Sequence, residues 1–326
     1  MELFTNIINE ANYVLWTYIL IIMLLGCAIW FSVKTRFVQF RMLGEMIRLL
    51  GDSTAKINGH EKHISSFQAF TISLASRVGT GNLAGVATAL TVGGPGAIFW
   101  MWIAAFLGMA TIFGEAIMAQ KYKHVGKDGH VTGGPVYYIQ AAFKGTFGKI
   151  LAAVFSVLII FALGFMGNAV QSNSIASAFH TAFGIPQIVV GIIIAAIALF
   201  VFVGGISRIA KVTETIVPIM ACFYIIGSLI VIFANFKEIP YAFYSIVVGA
   251  FKPSAVSGGA VGATVKLALT KGVARGLFSN EAGMGSTPHA HAVAKVEHPV
   301  EQGFVAMIGV FIDTFVILNL TALVII

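Results

Sequence analysis

The sequence predicts an all-α integral membrane protein, and three observations carry that prediction. Of 326 residues, 58% are hydrophobic and 10% charged, where a soluble domain carries about 25% charged residues. Seven apolar runs are long enough to cross a bilayer, and two hydrophobic segments five crossings apart are interrupted by glycine and polar residues. This composition excludes a disordered chain, a cytosolic enzyme domain, a disulfide scaffold and a nucleic-acid binder with an exposed basic face. The net charge of +7 is scattered between apolar segments, so it bears on topology rather than on an anionic partner. Cys27 and Cys222 both lie inside apolar runs and suggest neither a disulfide nor a zinc site.

A hydrocarbon core of about 30 Å needs about 20 apolar residues per helix. Runs near 13–33, 67–92, 97–120, 150–178, 187–206, 212–234 and 303–326 reach that length, and an eighth segment, about 241–277, is hydrophobic but interrupted. The first run is read as a retained helix. Glu2 and Glu10 precede it in place of a basic region, it is too long for a signal core, and no small-residue cleavage site follows. Cytoplasmic loops collect Lys and Arg. Segments 34–65, 121–149, 207–211 and 266–302 hold most of these cations, while 93–96 and 179–186 hold none. That alternation places the amino terminus outside and leaves Arg77 alone within a span. The last run ends at Ile326 without a polar tail, from which a shortened chain is expected.

Segment 67–92 reads FQAFTISLASRVGTGNLAGVATALTV. Its middle, Ser76 to Asn82, sets two glycines, small polar side chains and a charge where lipid-facing backbone must be fully hydrogen-bonded. Gly79 and Gly81 let the chain leave helical geometry at little cost. A break here frees carbonyls for a cation and amides for a carboxylate, the use transporters make of discontinuous helices. Glycine alone would read as close helix packing; Arg77, Thr80 and Asn82 turn the reading toward a binding site, because buried intramembrane polar groups are costly. In the second segment, Lys252-Pro253 follows only half a membrane thickness of apolar residues, and a break near Ser257-Gly258-Gly259 would complete a discontinuous crossing. The rival break, at Asn280-Glu281-Ala282-Gly283, would leave Lys266, Lys271 and Arg275 on the outer side, against the charge rule. Counted from 67–92, the interrupted segment is the sixth helix and runs the opposite way, the pattern of an inverted five-helix repeat.

The blocks SRVGTGNLAGVATAL, GGPGAIFWMW, GGPVYYI, GNAVQSNSIA and ARGLFSNEAGMGSTPHAHA, in this order, resemble the alanine/glycine:cation symporter family of bacteria and archaea. The resemblance implies a LeuT-like core of two inverted five-helix repeats preceded by one extra helix (13–33). Core helices one to seven would occupy about 67–326 of a single transporter domain, with the last three missing. In the neurotransmitter:sodium symporters that share this fold, a Gly-x-Gly-Asn unit donates backbone amides to the substrate carboxylate and a side-chain oxygen to sodium. Carried over, Gly79, Thr80 and Gly81 contact substrate and Asn82 ligates sodium. The third core helix, at Asn168 and Gln171, faces the substrate.

Sodium is a hard cation that prefers oxygen ligands. The expected set is Asn82, the backbone carbonyls of Arg77 and Val78, and Asp313 with Thr314. Asp313 is the deepest acid, and a structural ion pair is its alternative reading. Arg77 lies too far along its helix to reach water and is expected to pair with Asp313 or Glu115. Glu115 and Glu281 are assigned to gating. His289 and His291, two apart, do not share a helical face and suggest a gating loop or cap rather than a metal. The expected function is sodium-coupled symport of a small neutral amino acid, alanine or glycine, by alternating access across a prokaryotic cytoplasmic membrane. Na⁺ is the coupling ion, no organic cofactor or nucleic acid is expected, and the lipid bilayer is the surrounding partner. The alternatives are a proton-coupled permease, with Asp313 or Glu115 titrating, and a non-transporting fragment. No catalytic residues are expected.

Overall fold

A computed structural model describes residues 2–52, 64–127, 129–251 and 265–326. They are almost entirely helical, apart from a short hairpin pairing His124–Val125 with Val131–Thr132. Among them, four helices are long and apolar enough to cross a membrane: Gly96–Lys121, Thr146–Phe183, Gly205–Ala234 and Pro299–Ile325. Shorter apolar helices cover Leu20–Lys34 and Gln187–Val203. The protein is therefore a multi-pass membrane protein, and the observed helices overlie the predicted runs. The first is longer than expected: helix begins at Glu2 and continues through a π-helical stretch, Leu15–Ile19, into Leu20–Lys34.

Four elements make the core. The first broken helix starts at Ser66, where Ser65 and Gln68 form a reciprocal cap: the Gln68 amide donates to Ser65 Oγ and the Ser65 amide to Gln68 Oε1, both at 3.0 Å. Each satisfies an amide that a helix start leaves unpaired. The helix ends at Arg77, Val78 is extended, and the chain resumes as a π-helix over Gly81–Gly85 and an α-helix over Val86–Gly93. The break predicted at 76–82 is thus observed.

The second broken helix is Val265–Asn280, followed by irregular residues 281–287 and the short helix Pro288–Val293. The preferred break at 257–259 lies outside the described residues. The break that the structure shows is the rival one, and its reason is packing. Gly272 and Gly276 press against Ala97 and Met101, and Ala282 lies against Gly108. This helix therefore runs parallel to Gly96–Lys121, with Ala268 and Lys271 beside Gly93 at one end and His291 to Ala294 bonded to Gln120 at the other. Lys271 and Arg275 consequently lie toward the end of the bundle opposite Lys121, contrary to the loop-charge reading. A cation counted as part of a loop was on a helix inside the bundle, and the charge rule applies only to loops.

The two broken helices run antiparallel with their breaks level. Ile64 bridges Ala294, Arg77 reaches Thr287, Ser76 reaches Glu281, Gly81 faces Ser279, and Gly93 faces Ala268. Pro299–Ile325 lies alongside the first of them, bonding Ser66 through Gln302 and Asn82 through Asp313. Ile239–Phe251 packs at the Gly93 end: Gly249 meets Gly96 backbone to backbone, with space for no side chain on Gly96. Gly96→Ala is expected to cost about 1–3 kcal/mol by overpacking, read as a lower denaturation midpoint in detergent. Gly191→Ala, with nothing within 4 Å of the added carbon, should shift it by less than about 0.5 kcal/mol.

Candidate functional site

The levelled breaks enclose a polar centre within an apolar bundle. Asn82 and Asp313 are both fully buried. The Asn82 amide nitrogen donates to Asp313 Oδ1 at 2.8 Å, and Ser279 Oγ donates to Asn82 Oδ1 at 2.8 Å. Asp313 Oδ2 has the Ser279 hydroxyl at 3.3 Å and the Thr314 hydroxyl at 3.2 Å. Both polar positions sit in π-helical stretches, Asn82 in Gly81–Gly85 and Asp313 in Ile312–Leu318, where the widened turn leaves backbone groups loosely held. The result is one carboxylate among neutral amide and hydroxyl oxygens. Among the described residues no three His, Cys, Asp or Glu side chains gather as a metal cluster would need. A single negative charge with neutral oxygen donors matches a hard monovalent cation better than a divalent one.

At the first break the amides of Gly79 and Thr80 and the carbonyl of Val78 take no backbone hydrogen bond among the described residues. These residues are half-buried, and their free amides and carbonyl supply donors for an anion beside an acceptor for a cation. Gln171 stands over this break: a carbon added to Gly79 would lie 3.1 Å from Gln171 Oε1. Asn168 is not brought in. It is exposed, and its amide turns back to the Gly164 carbonyl of its own helix at 2.9 Å. The expected shared face is not used: the Asn168 side chain is taken up by a carbonyl of its own helix, while Gln171 reaches Gly79.

Arg77 is buried, yet among the described residues no carboxylate lies within 4 Å of it, so the expected pairing with Asp313 or Glu115 is absent. Its Nη2 donates to Thr287 Oγ1 at 2.9 Å, Thr287 donates to Glu281 Oε2 at 3.2 Å, and Nη1 lies against Gly309. Glu281 Oε2 also accepts from Ser286 at 2.6 Å and Ser76 at 3.3 Å. Guanidinium and carboxylate are thus joined through one hydroxyl. Glu281 itself holds a left-handed backbone, φ 56°, which ends Val265–Asn280. Glu115 is buried rather than solvated, and accepts the Gly283 amide at 3.1 Å. Both acids assigned to gating therefore touch the second break. Ser279 and Thr287 were missed as site residues. The signal that would have found them is the small-residue series Ala268, Gly272, Gly276, spaced four apart, which marks 265–280 as a packed helix.

At the Lys121 end Gly96–Lys121 and the second broken helix are tied together. Gln120 Nε2 donates to the carbonyls of His291 and Ala294, and Lys123 Nζ to Gln120 Oε1 at 2.7 Å. Burial holds the Lys123 ammonium below its ordinary pKa. The Gly93 end carries instead a cavity of about 410 Å³ lined by the first helix, by Val86–Gly93 and by Val265–Asn280.

Comparison with known proteins gives one consistent result. The model of the sodium:alanine symporter family matches residues 1–326. The chain is similar to the probable sodium/glutamine symporter GlnT of Bacillus subtilis, 45% identical over 99% of this chain and 66% of that protein. It is similar to the amino-acid carrier protein AlsT of the same organism, 46% identical over 99% and 66%. It is also similar to the sodium/alanine symporter AgcS of Methanococcus maripaludis, 42% identical over 98% and 70%. The chain thus spans 66% of the length of the first two. Those alignments run along essentially all of this chain.

Proposed function

Because the chain belongs to the sodium:alanine symporter family, a family of transporters and not of enzymes, we propose that it carries a small neutral amino acid, alanine or glycine, together with sodium across the cytoplasmic membrane. The observation that carries this reading is the buried oxygen set of Asn82, Ser279, Asp313 and Thr314 beside the broken segment 78–80. In it Na⁺ is held by Asn82, Asp313, Thr314 and the carbonyls of Arg77 and Val78. The substrate carboxylate meets the amides of Gly79, Thr80 and Gly81, with Gln171 across from them. Ion and carboxylate share one break, so each prearranges groups that the other needs, which is a coupling free energy between two sites.

Two antiparallel broken helices with level breaks support a LeuT-like inverted repeat preceded by one extra helix. With the 121–149 loop cytoplasmic, the amino terminus is outside. The Lys121 end is then the closed inner gate, in which Glu115 and Glu281 tie the second break, and the cavity opens outward. Alternating access is the exchange of that closure from one end to the other.

Uptake of labelled alanine into vesicles containing the purified protein tests this. A sodium gradient at fixed pH is expected to drive accumulation; accumulation driven by a proton gradient without sodium would replace sodium by proton coupling. Ser279→Ala removes one hydroxyl from the oxygen set and should raise the sodium concentration for half-maximal uptake about tenfold, the equivalent of about 1.4 kcal/mol.

A further inference from the structure

We infer that the cavity at the Gly93 end is a second, outer binding site that takes the carboxylate of the amino acid before it enters the centre; this rests on the symport reading above. The cavity, about 410 Å³, is lined by Lys271 and Arg275 of the second broken helix and by Asn9, Asn12 and Trp16 of the first helical stretch, with Phe278 at its inner side. No carboxylate lines it, and neither Lys271 nor Arg275 forms an ion pair among the described residues. Two cations with no ion pair among the described residues, on one wall of a concavity flanked by apolar helix, attract an anion and raise its local concentration.

Position connects this cavity to the centre. Lys271, Arg275 and Ser279 are four residues apart and share one helix face. Ser279 touches Asn82 and Asp313, so the outermost cation lies about 12 Å along the helix from the polar centre. Arg275, one turn deeper than Lys271, offers a planar fork suited to a carboxylate. The other wall suits the opposite end of a zwitterion: the Trp16 ring face attracts an ammonium, and Asn9 and Asn12 carry amide oxygens. The ligand class is a small α-amino acid, recognised first by its carboxylate.

The protein in phosphatidylcholine vesicles provides the test. Lys271→Gln/Arg275→Gln is expected to raise the external KM for alanine about tenfold with kcat and the half-saturating sodium concentration within about twofold. The charge-keeping pair Lys271→Arg/Arg275→Lys should recover part of that loss, because both charges stay while the fork moves one turn outward. Raising ionic strength from about 0.05 to about 0.5 M with choline chloride should raise KM in the parent and not in the glutamine variant. An unchanged KM in the glutamine variant overturns the inference while leaving symport intact. A defect seen only when phosphatidylglycerol is added also overturns it, because the cations then serve a lipid phosphate. Binding is read separately from transport by titrating alanine in sodium-free buffer and following the fluorescence that Trp16→Phe removes. A saturable change with alanine and none with alaninamide is expected even if uptake proves not to need sodium; equal responses to both overturn the carboxylate site.

Discussion

Asp313→Asn is expected to abolish sodium dependence while leaving the protein folded. The carboxylate is the only negative charge in the oxygen set, and it accepts from Asn82, Ser279 and Thr314. Asparagine fills the same volume and keeps one acceptor, and the hydroxyls of Ser279 and Thr314 can turn to accept from its amide. Packing therefore survives, whereas the charge that offsets Na⁺ is lost. Removing a charge-assisted partner costs about 3 kcal/mol, which corresponds to a rise of roughly 100-fold or more in the half-saturating sodium concentration. Sodium titration of alanine uptake at fixed pH, beside protein abundance, reads both. Equal loss of abundance and uptake would give Asp313 a folding role, and retained sodium dependence would remove it from the ion site.

The largest expected effect on stability is at Arg77. Arg77→Met removes the positive end of the Arg77–Thr287–Glu281 relay and leaves Glu281 buried with hydroxyls alone. Breaking a buried charge pair by taking away one partner costs about 3–5 kcal/mol, so folded protein in the membrane should fall sharply. The double change Arg77→Met/Glu281→Met removes both charges and should recover part of that loss, and the non-additivity measures the coupling carried through Thr287. Additive losses would mean that the two charges do not sense each other.

Much of this centre was legible before any coordinates, because intramembrane polar residues are rare enough to be informative one at a time. Arg77, Asn82 and Asp313 announce themselves in that way, and glycines at 79 and 81 announce the first break. The second break was harder. Residues 265–287 mix cations with small residues, and loop-charge counting placed them beyond the membrane. Their position is decided by Gly272 and Gly276 meeting Ala97 and Met101, a tertiary contact that a linear count of charges does not contain. Arg77 shows the same limit from another side. Its burial follows from its position within a span, but its partner, a threonine 210 residues away, depends on which two breaks stand level. Asn168 was misplaced for a local reason: its amide bonds the Gly164 carbonyl one turn back in its own helix, a choice that spacing alone does not reveal.

That a hydroxyl stands between Arg77 and Glu281 also bears on how firmly the two broken helices are tied to each other. An ion pair in direct contact must be pulled open against its full attraction before anything else moves. The threonine hydroxyl accepts from Arg77 and donates to Glu281, so swinging its proton aside releases Glu281 while the bond from Arg77 stays. Thr287→Ser keeps the hydroxyl with a freer rotor and removes no charge, so it should leave the relay in place and hold it less rigidly.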